Sequence, residues 1–165
     1  MTVRALLDAM LRFSDNTAAD LLVERRGGPA AVQRFLRSIG DATTRVDRTE
    51  PELNTAIPGD RRDTTTPSAY ARDLAAVLLG DVLPPARRAL LERTMRANTT
   101  GDPFIRAGVP VGWTVADRTG SGASRTRNDI AVVRPPHREP IVLVLLSGRG
   151  SPAAASLDAL PADNQ

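Results

Sequence analysis

The stretch from Asp41 to Pro67 constrains this chain more than any other. It carries Arg45, Asp47, Arg48, Glu50, Glu52, Asp60, Arg61, Arg62 and Asp63, with few apolar residues and two prolines before the last. A connection of this length without helical or strand periodicity is uncommon in a compact domain, where it is either functional or disordered. Opposite charges recur near both of its ends and can pair across its base. The expectation is therefore an ordered Ω-type loop, with a solvated charge run as the alternative for Arg61 and Arg62.

Before this stretch the pattern is helical. Val3, Leu6, Leu7, Met10 and Leu11 recur at three-and-four spacing and predict a helix from Val3 to Phe13. Asp15 or Asn16 can cap a second helix over Thr17–Arg26, which Gly27-Gly28 stops. A third, from Pro29 to Ile39, has Val32, Phe35, Leu36 and Ile39 on one face and reads as core packing.

After it come two more helices and then strands. Pro67 opens a helix to Leu79 whose predicted buried face is Tyr70, Leu74, Val77 and Leu78. The helix after Pro84-Pro85 is expected to turn Leu90, Leu91, Thr94 and Met95 inward and Arg87, Arg88, Glu92 and Arg96 outward. A turn-helix around Phe104-Ile105-Arg106 leads to β-branched runs at Trp113–Thr119, Asn128–Arg134 and Pro140–Ser147, each bounded by Gly or Pro. These predict a three-stranded antiparallel meander, so the fold class is α+β. One domain is expected over residues 1–150, followed by a short tail, 151–165, that is weakly helical or disordered.

Composition excludes several functions. All 22 basic residues are Arg, and they nearly balance 19 acids that are interspersed with them, so no nucleic-acid footprint is expected. There is no Cys, which removes thiol chemistry and Cys-ligated metals and leaves the redox compartment open. The single His137 sits in a Pro-Pro-His-Arg loop and reads as exposed, so neither a zinc site nor a Ser-His-Asp triad is expected. The apolar run Ile141–Leu146 is far too short to span a bilayer, and nothing at the N-terminus reads as an export signal. No cofactor is expected. The core must be built mostly from Leu, Val, Ile and Ala, since only 3% of residues are aromatic.

Three short polar groups remain. Ser14-Asp15-Asn16 lies between two predicted helices, where a helix cap is its plain reading and a relay hydroxyl plus a ligand-binding amide the functional one. Glu50, four residues before Asn54, reads alone as an exposed loop acid or as a general base whose water Asn54 helps orient. Arg118-Thr119-Gly120-Ser121-Gly122, with Arg127 beyond, reads as edge-strand polar residues or as a cationic anion site. The absence of Lys rules out a phosphate-binding Gly-rich loop here.

In this order the three groups resemble the site elements of a class A serine β-lactamase, over residues 1 to about 150. The resemblance implies the C-terminal part of a β-lactamase/transpeptidase-like fold, and hydrolysis of the β-lactam amide through an acyl-serine. Glu50 then resembles the deacylating base, Asn54 its partner on the water, and Ser14 a proton relay to the departing amine. Asn16, Arg118, Thr119, Gly120, Ser121 and Arg127 resemble the substrate-binding group, with the Ser121 N–H as half of an oxyanion hole. Arg stands at 118 where the family usually has Lys; it keeps the charge and adds a bidentate fork, but cannot exchange a proton at neutral pH. Arg48 and Asp63 are implied as a structural pair across the loop's neck. The family's Ser-X-X-Lys has no counterpart, because the sequence contains no Lys. The expectation is that the part bearing it is missing and that this chain alone is inactive. A β-lactam and an N-terminal complementing fragment are the expected partners, with no nucleic acid and no membrane. The localisation stays open, although the family is exported. The alternatives are a ligand-binding module without catalysis, or a truncated product.

Overall fold

The computed structural model describes residues 1–123 and 125–148. Five helices precede three strands: α1 (Val3–Phe13), α2 (Asn16–Arg25), α3 (Pro29–Ser38), α4 (Pro67–Leu78), α5 (Pro85–Arg96), β1 (Thr114–Ser121), β2 (Arg127–Arg134) and β3 (Ile141–Ser147). Short 3-10 turns occupy Glu52–Asn54 and Ile105–Gly108. The α+β class and the antiparallel meander follow the expectation. The tail expected at 151–165 lies outside the described residues.

Local chemistry sets the helix ends. Thr2 accepts the Ala5 N–H at 3.2 Å and starts α1. Asp15, not Asn16, caps α2 by accepting the Ala18 N–H at 2.8 Å, and Thr66 does the same for α4 ahead of Pro67. Each satisfies an amide that the first helical turn leaves without a partner.

The strands pair in the order β1-β2-β3, with Thr119 opposite Asp129 and Ser121 opposite Arg127. Helices α4 and α5 lie on one face of the sheet, where Leu74, Leu78, Met95, Ala116, Ile130 and Val132 form the main core. The other face of β2 supplies Ala131 and Val133 to a smaller cluster around Ile105, with Trp113 and Val115 at its margin. Strand β2 is therefore covered on both faces. Among the described residues strand β3 is covered on one face only: Val142 and Val144 face the core, whereas Ile141, Leu143 and Leu145 are exposed at 40%, 36% and 56%.

Three expectations about helix faces need correction. In α4 the buried side chains are Ala69, Asp73, Leu74 and Leu78, while Tyr70 is exposed, so the inward face is turned by about one residue. That turn brings Asp73 beside Asp41 at the root of the long loop. Helix α3 buries no residue fully and leaves Phe35 exposed, so it does not supply the core. Glu92 does not point to solvent: it receives a two-pronged ion pair from Arg134 of β2, at 2.6 and 2.9 Å. Periodicity shows which positions share a face, but not which neighbouring element that face meets.

Candidate active site

The loop over residues 41–66 is ordered through its own polar groups. Asp63 is the centre of its neck, where Oδ1 accepts the N–H groups of Asp47 and Arg48 at 2.7 and 2.9 Å. Its Oδ2 accepts Arg48 Nε at 2.6 Å, and the Arg48 fork reaches on to Thr55 Oγ1 at 3.0 Å. The Arg48–Asp63 pairing expected from the resemblance is thus present. Arg45 pairs with Asp47 and Arg62 with Asp60 on the outside. The loop root is tied by Asp41, which is buried and accepts the Thr43 and Thr44 N–H groups; these bonds outweigh its desolvation and hold its pKa at about 2. Asp73 beside it goes the other way, pushed up to about 6 by burial and by the Asp41 charge.

This frame presents Glu50. Its backbone N–H donates to Asp20 Oδ1 of α2 at 3.0 Å, and its side-chain Oε2 accepts from Asn54 Nδ2. Burial raises the Glu50 carboxyl above its ordinary value; the Asp20 charge adds to the rise, while Asn54 and the positive Arg118 oppose it. Glu52 is exposed to solvent. Asn54 also bridges to the sheet, since its carbonyl accepts the Ala123 N–H at 3.0 Å. A Cβ on Gly122 would stand 2.9 Å from that carbonyl, so this approach of loop to strand end requires glycine.

Helix α1 brings the second group. Its last turn closes with Ser14 in the left-handed region, at φ 60 and ψ 38, which releases the chain into α2 and leaves the Ser14 hydroxyl facing β1. Ser14 Oγ accepts Arg118 Nη2 at 2.9 Å, and Arg118 Nη1 donates to the Thr119 carbonyl. Arg118 is half-buried, and burial pushes its guanidinium down from its ordinary value, against the opposing pull of Glu50 and Asp117. Asn16 begins α2 and is exposed.

The third group lies along β1 and splits between two hollows. Arg118, Thr119 and Gly120 line a cavity of about 520 Å³ walled by the loop, α3, α4 and the sheet, with Leu53, Tyr70 and Asp73 among its other walls. Ser121 and Arg127, paired across β1 and β2, line an open hollow of about 620 Å³ at the sheet's end. Five of the six expected substrate-binding residues are thus adjacent on the sheet but face two spaces, and Asn16 lines neither. His137 is exposed in the β2–β3 hairpin. Among the described residues no cluster of His, Asp or Glu could hold a metal ion.

A buried layer under β1 was not foreseen from sequence. Asp117 has no exposed surface and accepts both Arg106, at 2.8 and 2.6 Å, and Asn98 Nδ2, at 2.9 Å. Asn98 Oδ1 in turn accepts the N–H and hydroxyl of Thr100, whose Oγ1 lies 2.5 Å from that of Thr119. Gly101 is part of the layer, because a Cβ there would sit 1.9 Å from Asp117 Oδ2. The one sequence signal was an acid in the middle of an apolar strand. Asp20 was missed as well, for on its helix it reads as an ordinary surface acid.

A helix end, a loop carboxylate and a cationic strand therefore meet where the helical layer of an α+β protein joins its sheet. The model of the β-lactamase enzyme family matches residues 1–162. A β-lactamase of Amycolatopsis lactamdurans is 54% identical over 163 residues, which are 99% of this chain and 54% of that protein. For β-lactamase 3 of Bacillus cereus the identity is 50%, over 99% of this chain and 52% of the relative. The solved structure of an ancestral class A β-lactamase superposes with a TM-score of 0.89 at 55% identity, covering 94% of this chain and 60% of the other. The chain belongs to the class A β-lactamase family, and it spans about half the length of the curated relatives it matches.

Proposed function

We propose that this chain carries the deacylating and carboxylate-binding part of a β-lactam-hydrolysing site. The reading is carried by Glu50, a partly buried carboxylate fixed at its backbone by Asp20 and at its side chain by Asn54, within the field of Arg118. The burial that raises its pKa makes it a stronger base once ionised. In the reaction a serine ester of the opened β-lactam is attacked by water. Glu50 takes the water's proton as the water oxygen bonds to the ester carbonyl carbon, and the tetrahedral oxyanion is held by backbone N–H donors, of which Ser121 supplies one. Collapse expels the serine oxygen, which takes back the proton held by Glu50, and releases the acid. In the preceding acylation Ser14 passes a proton to the departing amine, and the ligand carboxylate is held by Arg118, Ser121 and Arg127.

The serine that forms this ester is not in the Ser-X-X-Lys form anywhere in this sequence, which has no Lys. The chain alone is accordingly inactive, and the chemistry needs a second piece of the family's length that supplies the nucleophile. Among the described residues β3 has no strand beyond it and its outward face, Ile141, Leu143 and Leu145, is exposed, which supports this reading, since an open edge is completed by another strand and an apolar face by a covering segment. The test is co-expression with an N-terminal fragment of a related β-lactamase. Hydrolysis of a chromogenic β-lactam should require both pieces, and Glu50→Gln should retain burst acylation while cutting turnover by about 10²-fold or more. A stable complex with no activity, or a turnover untouched by Glu50→Gln, would remove Glu50 from this role.

A further inference from the structure

We propose that Asp73 of α4 is a positioning residue for the loop that presents Glu50, and that it holds the root of that loop through a single proton shared with Asp41. The inference deepens the reading of Glu50 as the base and rests on it. It starts from a shortage of donors. Asp41 and Asp73 are 4% and 7% exposed, and their carboxyl groups lie side by side. Asp41 is well supplied, since its Oδ1 accepts the N–H groups of Thr43 and Thr44 at 2.7 and 3.0 Å. Asp73 is not: among the described residues its hydrogen-bonding neighbour is Asp41, and its Oδ2 is buried without a partner. Two buried carboxylates in contact repel, whereas one proton between them turns the contact into a hydrogen bond.

The surrounding charges do not replace that proton. Arg37 of α3 and Arg72 of α4 favour the ionised pair, but the Arg37 fork is spent on the Asp41 and Thr44 carbonyls and Arg72 Nη1 on Ser68 Oγ. Across the cavity that Asp73 lines, Arg45 is paired with Asp47, and Arg118 donates to Ser14 and to the Thr119 carbonyl; Tyr70 and Asp63 bring no positive charge. Burial and then Asp41 therefore keep Asp73 protonated up to about pH 6, while the Thr43 and Thr44 bonds keep Asp41 ionised against its own burial. What the pair holds is the entry to the loop. Leu74, next to Asp73, lies in the main core, so α4 fixes one carboxyl in place. Thr44, folded onto Asp41, meets Thr65 Oγ1 at 2.6 Å, and the Arg45 N–H donates to the Thr64 carbonyl at 2.9 Å. Both limbs of the loop are thus joined at Asp41, just before the Asp47 and Arg48 N–H groups that close on Asp63 and lead into Glu50. When the shared proton leaves, two buried charges face each other. The root is the side that yields, because Asp41 lies outside any helix and Asp73 lies within α4.

Amide hydrogen exchange on the full chain at about pH 4.5 and about pH 7, corrected for the intrinsic rate at each, tests this. A folded pKa raised above its ordinary value makes the closed root most stable at the lower pH. Protection of the Thr43 and Thr44 N–H groups should therefore fall by about tenfold or more at the higher pH, and that of the Glu50 N–H, which donates to Asp20, should fall with them. Asp73→Asn supplies a permanent donor to Asp41, and should keep protection high at both pH values. Unchanged protection of Thr43 and Thr44 in the wild type, or a fall that persists in Asp73→Asn, overturns the proposal. A fall at Thr43 and Thr44 with Glu50 unmoved overturns the positioning role. Carboxyl carbon NMR titration of the wild type decides the matter even where the variant fails to fold. Asp73 and Asp41 should respond together near pH 6, and an Asp73 that titrates near pH 4 overturns the shared proton. These readouts are separate from turnover. If Glu50→Gln left turnover unchanged, the base assignment would fall, and the exchange rates would still decide the latch.

Discussion

Two aspartates, Asp63 and Asp117, do similar chemistry in different surroundings. Each accepts three bonds: Asp63 one from the Arg48 side chain and two from backbone N–H groups, Asp117 two from Arg106 and one from Asn98. Asp63, 7% exposed, gathers its partners from within one loop, and the Arg48 side chain beside it is 18% exposed. Asp117, fully buried, draws its partners from the connection after α5, where the Arg106 side chain is 22% exposed. The first closes a segment on itself, whereas the second fastens the site strand to the body of the protein. Bonding geometry alone therefore does not tell how much of the molecule depends on a contact. What decides it is whether the elements joined could separate without opening the core.

Removing the buried centre should have the largest effect. Asp117→Ala leaves Asn98 Nδ2 without its acceptor in the interior and Arg106 with only the Met95 and Arg96 carbonyls and the exposed Asp102, and a loss of about 3–4 kcal/mol is expected. Urea unfolding would check it. A loss below about 1 kcal/mol would show that the layer under β1 is not the anchor its burial suggests. Asp63→Ala should be milder and local. It frees two backbone N–H groups and Arg48, at about 2–3 kcal/mol, and hydrogen exchange should report that loss in residues 45–64 with little change in β1 and β2. Equal loss of protection in the sheet would erase the distinction drawn above.

A pH effect sharpens the comparison at the loop root. The folded pKa of Asp73 is raised to about 6 from 3.8. A raised folded pKa means that the stability contribution is fully present below about pH 4 and is lost as the pH rises through 6. Asp73→Asn should abolish that fall and stabilise the chain at pH 7 by roughly 1–3 kcal/mol, read from denaturation at pH 4, 6 and 7.5. Parallel pH profiles for wild type and variant would place the titration elsewhere, Asp129 being the other carboxyl raised to about 6. The smallest effect belongs to the outer surface of the loop. Arg62→Ala removes a pair with Asp60 in which the arginine is half-exposed, and the melting temperature should not move measurably.

The order of elements, the antiparallel meander and the three polar groups of the cleft were legible in the sequence, because each rests on local signals. Apolar spacing marks a helix face, β-branched runs bounded by Gly or Pro mark strands, and Ser14, Glu50, Asn54 and Arg118 stand in a recognisable order. That Arg118 reaches Ser14, and that the Asn54 carbonyl meets Ala123, depended on how the helical layer docks on the sheet. The inward turn of α4 was likewise set by its neighbour: Asp73 is buried because Asp41 and the loop root lie there, and periodicity treats that position as polar surface. Asp20 and Thr100 were hidden for the same reason. Their partners, the Glu50 N–H and Thr119 Oγ1, lie 30 and 19 residues away, and no spacing rule reaches that far. Local backbone preferences and apolar patterning act over a few residues and are written in the chain. The partner of a buried hydroxyl or the depth of a carboxylate is set by atoms brought together from distant segments, and only the packed structure contains them.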